Sequence, residues 1–321
     1  MLIFCIPQHL SVYFVNNSIT ALVCCALWLS LASHAANLEP NGQLVFMTDF
    51  GTTERFVASM KGVAMMVSPE LRLHDLTHHI EAHDIWQASF VLVGTIEYWP
   101  KGTVFVSVVD PGVGTSRKSV VVETGSGHFV VTPDNGTLTH IADTYSIRAM
   151  REIDESLNRR AGSDKLNTFH GRDVYAYTGA RLAAGIISFE EVGPVLPTKI
   201  FRLDYQQAKV SQKGTVLGNL VHVEIPFGNL VSNIPTKLLL SQGLREDDTG
   251  QVQVTLIRSG EVVFDEKIPY ASSFGFVAEG ESLLYSDSLQ TIGLAVNSAS
   301  FAKKYGIGAG AEWVIKIRVL K

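Results

Sequence analysis

Beyond residue 25 this 321-residue chain contains no cysteine, and its three cysteines, Cys5, Cys24 and Cys25, all fall in the opening segment. A disulfide framework, a thiol nucleophile and a thiolate metal site are therefore excluded from the rest of the chain. Charge is scarce too: Asp, Glu, Lys and Arg make up 18% of residues, the net charge is -5, and Lys and Arg form no cluster. Nothing here offers a nucleic acid or another polyanion an electrostatic footprint, so no nucleic-acid partner is expected. Internal repeats and low-complexity tracts are also missing. What is abundant is apolar residues, 46% of the total, enough for one large core or two ordinary ones.

Before residue 37 there is no Asp, Glu, Lys or Arg. Within that stretch "ITALVCCALWLSLA", from Ile19 to Ala32, is an apolar run suited to a signal-peptide core and short for a membrane span. Ser33 and Ala35 supply the small residues of a cleavage site, although the usual basic start is missing. The expectation is a signal peptide over residues 1–35 and a mature protein that is periplasmic or secreted, with a cytoplasmic one if the leader does not function.

Downstream, "LVFMT", a helical pattern to about Val67, "LRLHDL" and a helical pattern from about Asp84 to Tyr98 alternate in βαβα order. Strands at "TVFVSVV", "SVVVET" and "HFVVT" follow, then a helix from about Arg172 to Ala184. This predicts an N-terminal α/β domain over 41–205 with a largely parallel central sheet. Beyond a Pro-, Lys- and Gln-rich stretch, "GTVLGNLVHVEI", "VQVTLIRSG", "EVVFDEKI" and "WVIKIRVL" predict a smaller, mostly-β domain over 213–321, with "RSGE" as a hairpin turn.

Several motifs carry chemistry. Asp49 in "TDFG" follows the first strand, where a carboxylate either accepts hydrogen bonds from ribose hydroxyls or caps the next helix. In "SVVDPGVGTSRKSVVVET", Asp110 and Arg117 flank a glycine turn that reads as a phosphate loop, a salt-bridged corner or part of a catalytic site. The turn lacks the Lys-Ser/Thr of a P-loop and the last glycine of a dinucleotide fingerprint. "TFHGRD" puts His170 just outside a helix, where with an Asp and an Arg it could orient a water. "TPDNGTL" reads as a tight turn suited to close approach of a ligand. His74, His78, His79 and His83 with Asp75 and Asp84 could bind a metal or simply form a polar connection; no HExxH-type spacing is present. In "EIPFGNLVSN", Phe227 and Asn229 read either as a face and an edge contact for an aromatic base or as a bulged turn.

Taken in order, "TDFG", "MKGV", "DLTHHI", "PKGTVFVSVVDPGVGTSR", "TPDNGTL", "FHGRD" and "PFGN" resemble the S-adenosylmethionine hydrolase (hydroxide adenosyltransferase) family, related to the bacterial fluorinase and chlorinase. The resemblance implies a barrel-like C-terminal domain and a hydrolytic triad of Asp110, Arg117 and His170. Through it water attacks the ribose C5′ of S-adenosyl-L-methionine and releases adenosine and methionine, with no cofactor or metal. It further implies that Asp49 holds the ribose, Asn229 and Phe227 the adenine, Glu224 the methionine amine and Ser288 its carboxylate, with adenine contacts near Val296 and Ser298. A homotrimer with sites between subunits is implied as well.

Within that resemblance Asp110 and His170 are of the hydrolytic kind, where a halogenase has a non-ionising residue and no histidine, and the long fluorinase insertion is missing at "ETGSGHF", so halogenation is not expected. Glu224 replaces the usual Asp, His83 stands in place of an aromatic, and "DSLQTIG" replaces Asn-Ser-x-Gly, so the amino-acid end of the pocket departs most. The alternative reading is an exported adenosine- or nucleoside-binding protein of the same fold without turnover.

Overall fold

The computed structural model describes residues 38–245 and 250–320; the predicted leader lies outside the described residues. Residues from Glu39 onward form one compact unit containing two sheets. The first sheet collects β1 (Gln43–Thr48), β2 (Arg72–Thr77), β3 (Val104–Val108), β4 (Ser119–Thr124), β5 (Phe129–Pro133), β6 (Ile147–Glu152) and β7 (Val195–Leu196) in the order β2-β1-β3-β5-β4-β6-β7. β2, β1, β3 and β5 run parallel, as the βαβα pattern predicts. The other half is antiparallel because the brief "GSGH" connection between β4 and β5 can only fold back on itself. Every residue of β3 and β5 is buried, which matches their uninterrupted apolar sequence.

Helix α1 (Phe56–Val67) follows β1, and α2 (Ile85–Ile96) follows β2. Asp84 caps α2 by accepting from the Gln87 N–H at 2.8 Å, meeting one of the orphan donors of the first turn. A short α3 (Thr139–Thr144) leads to β6, a strand the sequence pattern did not single out. The helix expected from Arg172 opens instead as a wider π-helical turn, Gly171–Ala176, before continuing as α4 (Tyr177–Ala183).

The second sheet has the order β12-β11-β15-β9-β10-β14-β13. Its members are β9 (Val216–Glu224), β10 (Asn229–Pro235), β11 (Gln251–Arg258), β12 (Glu261–Pro269), β13 (Ser282–Ser286), β14 (Thr291–Val296) and β15 (Trp313–Leu320). A two-residue β8 (Lys209–Val210) pairs with β9. A bridge between Tyr270 and Leu284 draws β12 and β13 together, so the sheet nearly closes into a barrel around Leu220, Leu230, Val254, Ile292 and Ile315. Ser259 and Gly260, both with positive φ, form the predicted β11–β12 hairpin turn. β10, β13 and β14 were not expected, because Ser, Asn and Gly interrupt their apolar runs. Trp86 of α2 donates its indole N–H to the Val221 carbonyl at 2.8 Å, and Phe90 stacks on His222 at 4.9 Å, joining α2 to the barrel.

Helix α4 lies so close to the first sheet that a Cβ at Gly179 would sit 2.5 Å from Val106 Cγ2. Gly179→Ala therefore overpacks this contact, and its expected cost is about 1–3 kcal/mol. Urea unfolding checks the loss; a variant as stable as the parent would contradict the packing described.

Candidate active site

β1 leads away to β2 on one side, while β3 leads toward β5 and β4 on the other. A crevice opens where neighbouring parallel strands diverge in this way, outside their carboxyl ends. Thr48 and Val108 pair at the end of these strands, so the residues just beyond them, Asp49 and Asp110, enter the same crevice. Here a cleft of about 290 Å³ is lined by Asp49, Asp110 and His170, with Phe50, Phe56 and Phe169 among its walls. The three phenyl rings contact one another at centroid distances of 5.4 to 5.9 Å. They give the charged groups an apolar, poorly screened neighbour.

The turn from Asp110 to Arg117 is closed by the Val113 N–H to the Asp110 carbonyl and the Thr115 N–H to the Gly112 carbonyl. Gly114 has φ +77, and a Cβ there would approach the Asn167 carbonyl to 2.9 Å. That glycine lets the turn lie against the segment leading to His170. The turn's product is a fork in which Arg117 Nε donates to both Asp110 oxygens at 2.9 and 3.0 Å and Nη2 donates to Oδ2 at 2.6 Å. The two side chains are 5% and 11% exposed. Burial works against the Arg117 charge, yet the bonds from Asp110 hold its pKa above the ordinary value.

Arg117 Nη2 also lies 3.1 Å from His170 Nδ1, so one guanidinium joins the carboxylate to the imidazole. Arg117 Nη1 donates to Ser119 Oγ at 3.1 Å, Ser119 to the Tyr175 hydroxyl at 3.1 Å, and Tyr175 to Asp110 Oδ2 at 3.4 Å. A closed ring of hydrogen bonds results. Burial, with Asp110 close by, pushes the Tyr175 pKa up and keeps the phenol a donor. Burial also lowers the pKa of His170 below its ordinary value, which favours the neutral ring.

Asp49 does not cap α1. It is 8% exposed and accepts the backbone N–H of His83 at 2.9 Å, across the cleft mouth. Asn135 of "TPDNGTL" donates to the Val109 carbonyl at 2.9 Å, bracing the backbone just before Asp110. The His-rich segment is distributed among separate partners: His78 bridges Thr48 Oγ1 and Asp75 Oδ1 at 2.8 and 2.9 Å, and His74 packs on Trp99. Asp173 is turned away from His170 and held by Arg160 at 2.6 Å and Arg172 at 2.7 Å.

The remaining predicted residues meet elsewhere. Glu224, Phe227, Asn229, Ser288, Val296 and Ser298 all line one cleft of about 780 Å³ on the barrel. The turn reading of "EIPFGN" holds, since the segment is a tight β9–β10 hairpin turn with the Gly228 N–H on the Glu224 carbonyl at 2.7 Å, and the same segment forms a cleft wall. Asn229 is buried and donates to Glu224 Oε2 at 2.9 Å, whereas Phe227 is 67% exposed at the rim. Asp287 and Tyr285, which the sequence reading passed over, line the same cleft. Burial pushes both of their pKa values up, with Glu224 adding to it. The two clefts share no lining residue.

A mixed α/β sheet with a charged strand-end crevice, carried on the same compact unit as a barrel with its own polar cleft, defines a two-lobed architecture. This chain belongs to the SAM hydroxide adenosyltransferase family: residues 44–193 match its N-terminal domain and 218–314 its C-terminal domain. It is 32% identical over 277 residues to the (R)-S-adenosyl-L-methionine hydrolase of Salinispora tropica, covering 85% of this chain and 97% of the relative. It is 34% identical over 195 residues to the protein of that name from Methanocaldococcus jannaschii, covering 60% of this chain and 66% of the relative. A fluorinase from an Actinoplanes species is 28% identical over 294 residues, 84% of this chain and 96% of the relative. A solved structure of an uncharacterized conserved protein from Thermotoga maritima superposes with a TM-score of 0.76 at 33% identity, covering 85% of this chain and 99% of that one.

Asp173 shows how the site is supported. Burial alone would raise its carboxyl, but the bonds from Arg172 and Arg160 outweigh it and lower its pKa below the ordinary 3.8. A carboxylate lowered in the folded state contributes stability that is complete above its unfolded pKa and is lost as pH falls through the folded value. Melting temperature is thus expected to fall as pH drops below 3.8, and Asp173→Asn to flatten that part of the curve while lowering stability at neutral pH. An unchanged acid slope in the variant would contradict this.

Proposed function

We propose that this protein hydrolyses S-adenosyl-L-methionine to adenosine and L-methionine. The observation that carries this reading is the Asp110–Arg117–His170 set, joined through one guanidinium and opening on a cleft that Asp49 also lines. A water held between a carboxylate and a neutral imidazole is oriented for in-line attack on a ribose C5′. The new C–O bond forms as the C5′–S bond breaks, the electron pair goes to sulfur to leave the thioether of methionine, and the water's proton passes into the Asp110 and His170 set. No cofactor is called for, because a sulfonium is already a cationic leaving group. Asp110 and His170 also argue for water over halide as nucleophile, since an anionic carboxylate beside the attack site opposes a second anion.

Asp49 is assigned to the ribose hydroxyls, Asn229 and Phe227 to the adenine with backbone near Val296 and Ser298, and Glu224 and Ser288 to the amino-acid end. Because the two clefts share no lining residue, a complete site is assigned to two copies of the chain. Each copy contributes one cleft, in a homotrimer. Export of the mature protein is part of the proposal too, supported by the apolar run at Ile19–Ala32 with Ser33 and Ala35 after it; the mass of the mature N-terminus tests it.

Incubation with each sulfonium epimer of S-adenosylmethionine in ¹⁸O-water is expected to yield methionine and adenosine carrying the label at its 5′ hydroxyl. The R epimer is included because the hydrolase relatives are named for it. His170→Ala is expected to lower kcat about 10²–10⁴-fold. Adenosine binding with no product from either epimer would replace this reading with a nucleoside-binding one, and a 5′-halo product in halide buffers would replace water as nucleophile.

A further inference from the structure

His170 touches a second guanidinium. While Nδ1 lies 3.1 Å from Arg117 Nη2, Nε2 lies 3.1 Å from Arg159 Nη2 on the opposite side of the ring. Guanidinium nitrogens only donate and stay charged at any working pH. An imidazolium carries N–H on both ring nitrogens and can accept from neither neighbour. A neutral imidazole has one lone pair and can accept from one of them. The enclosure itself therefore discriminates between the two charge states.

Arg159 is built into place. Its side chain is 7% exposed, and Glu155 Oε2 accepts from Nε at 3.0 Å and from Nη2 at 2.5 Å. Nη1 donates to the carbonyls of Ser163 and Leu166 at 3.1 and 3.2 Å. The segment that carries it is tied to the helix that follows His170, through the Arg160 N–H on the Asp173 carbonyl at 2.8 Å and Thr178 Oγ1 on the Asn158 carbonyl at 2.9 Å. Arg159 does not line the cleft and contacts one of its lining residues, His170.

We propose that Arg159, held by Glu155, is a positioning residue that clamps His170 from the side opposite Arg117, so that the ring enters the reaction as neutral imidazole. This inference rests on the hydrolytic reading for its use, but not for its physical content. The charged groups around the ring are Asp110 and Arg117 from the β3–β4 turn and Glu155 and Arg159 from the segment after β6, with Asp49 and His83 lining the shared cleft. Tyr175, on the helix that follows His170, contacts Asp110. Burial is the largest influence on the ring; Arg117 and Arg159 lower its pKa further, while Glu155 and Asp110 oppose them.

The test is an NMR titration of the histidine ring C–H signals in the full chain, with His170→Asn to assign the signal, applied to wild type, Arg159→Gln and Glu155→Gln. Arg159→Gln is expected to raise the His170 midpoint. Glu155→Gln is expected to lower it, because a counter-charge is lost while the Ser163 and Leu166 carbonyls keep Arg159 in place. A purely structural role would move both midpoints in the same direction or neither. In the kinetic arm, the acid limb of kcat/KM shifts upward in Arg159→Gln, costing at most about fourfold at pH 6 and almost nothing at pH 8. An unmoved His170 midpoint in Arg159→Gln, or shifts of equal sign in the two variants, overturns the proposal. Should Arg159→Gln fail to fold, Arg159→Lys keeps the charge and is expected to hold the midpoint near wild type, and the Glu155→Gln shift alone still decides. The titration needs no turnover, so failure of the clamp and failure of the hydrolytic reading remain distinguishable.

Discussion

The buried fork between Arg117 and Asp110 is the contact on which the site depends. Two opposite charges are withdrawn from water at a strand end, a costly arrangement unless nearly every donor and acceptor is met. Here they are: the fork uses both carboxylate oxygens, Ser119 and Tyr175 close the ring behind it, and the remaining edge of the guanidinium meets His170. Breaking any member leaves a charge or a phenol buried without its partner, which gives the site a rigidity that burial of apolar groups alone would not supply.

That rigidity suits chemistry in which positioning contributes most. On the proposed reading a sulfonium needs little activation, and the protein's contribution is to hold one water in line. The Phe50, Phe56 and Phe169 wall strengthens the local electrostatics, and Asn135 braces the backbone that presents Asp110. The barrel cleft has a different character, lined by Glu224, Asn229, Asp287 and a run of serines.

Asp110, Arg117 and His170 were legible as candidates because each sits in a short motif that offers a chemical reading beside a structural one. A glycine turn with a charge at each end, and a histidine at a helix entrance, both ask for a purpose. Arg159 and Glu155 gave no such signal. They lie in a polar, irregular stretch that reads as an ordinary solvated loop, and only the folding of that stretch against α4 turns Arg159 inward. Tyr175 was hidden for the converse reason, since an aromatic in a helix reads as core and its hydroxyl's partners are 56 and 65 residues away.

By itself the sequence determined the parallel strands, the hairpin at "RSGE" and the turn linking Asp110 to Arg117, because these follow from periodicity and glycine placement over short distances. Tertiary structure alone decided that the first sheet is half antiparallel, that Asp49 holds the His83 backbone instead of a helix end, and that Asp173 serves Arg160 and Arg172. It alone placed a second guanidinium on His170. The reason is physical: a buried polar group must satisfy its bonds with whatever the packing brings near, and that neighbour is set by the three-dimensional closure of the chain and not by spacing along it.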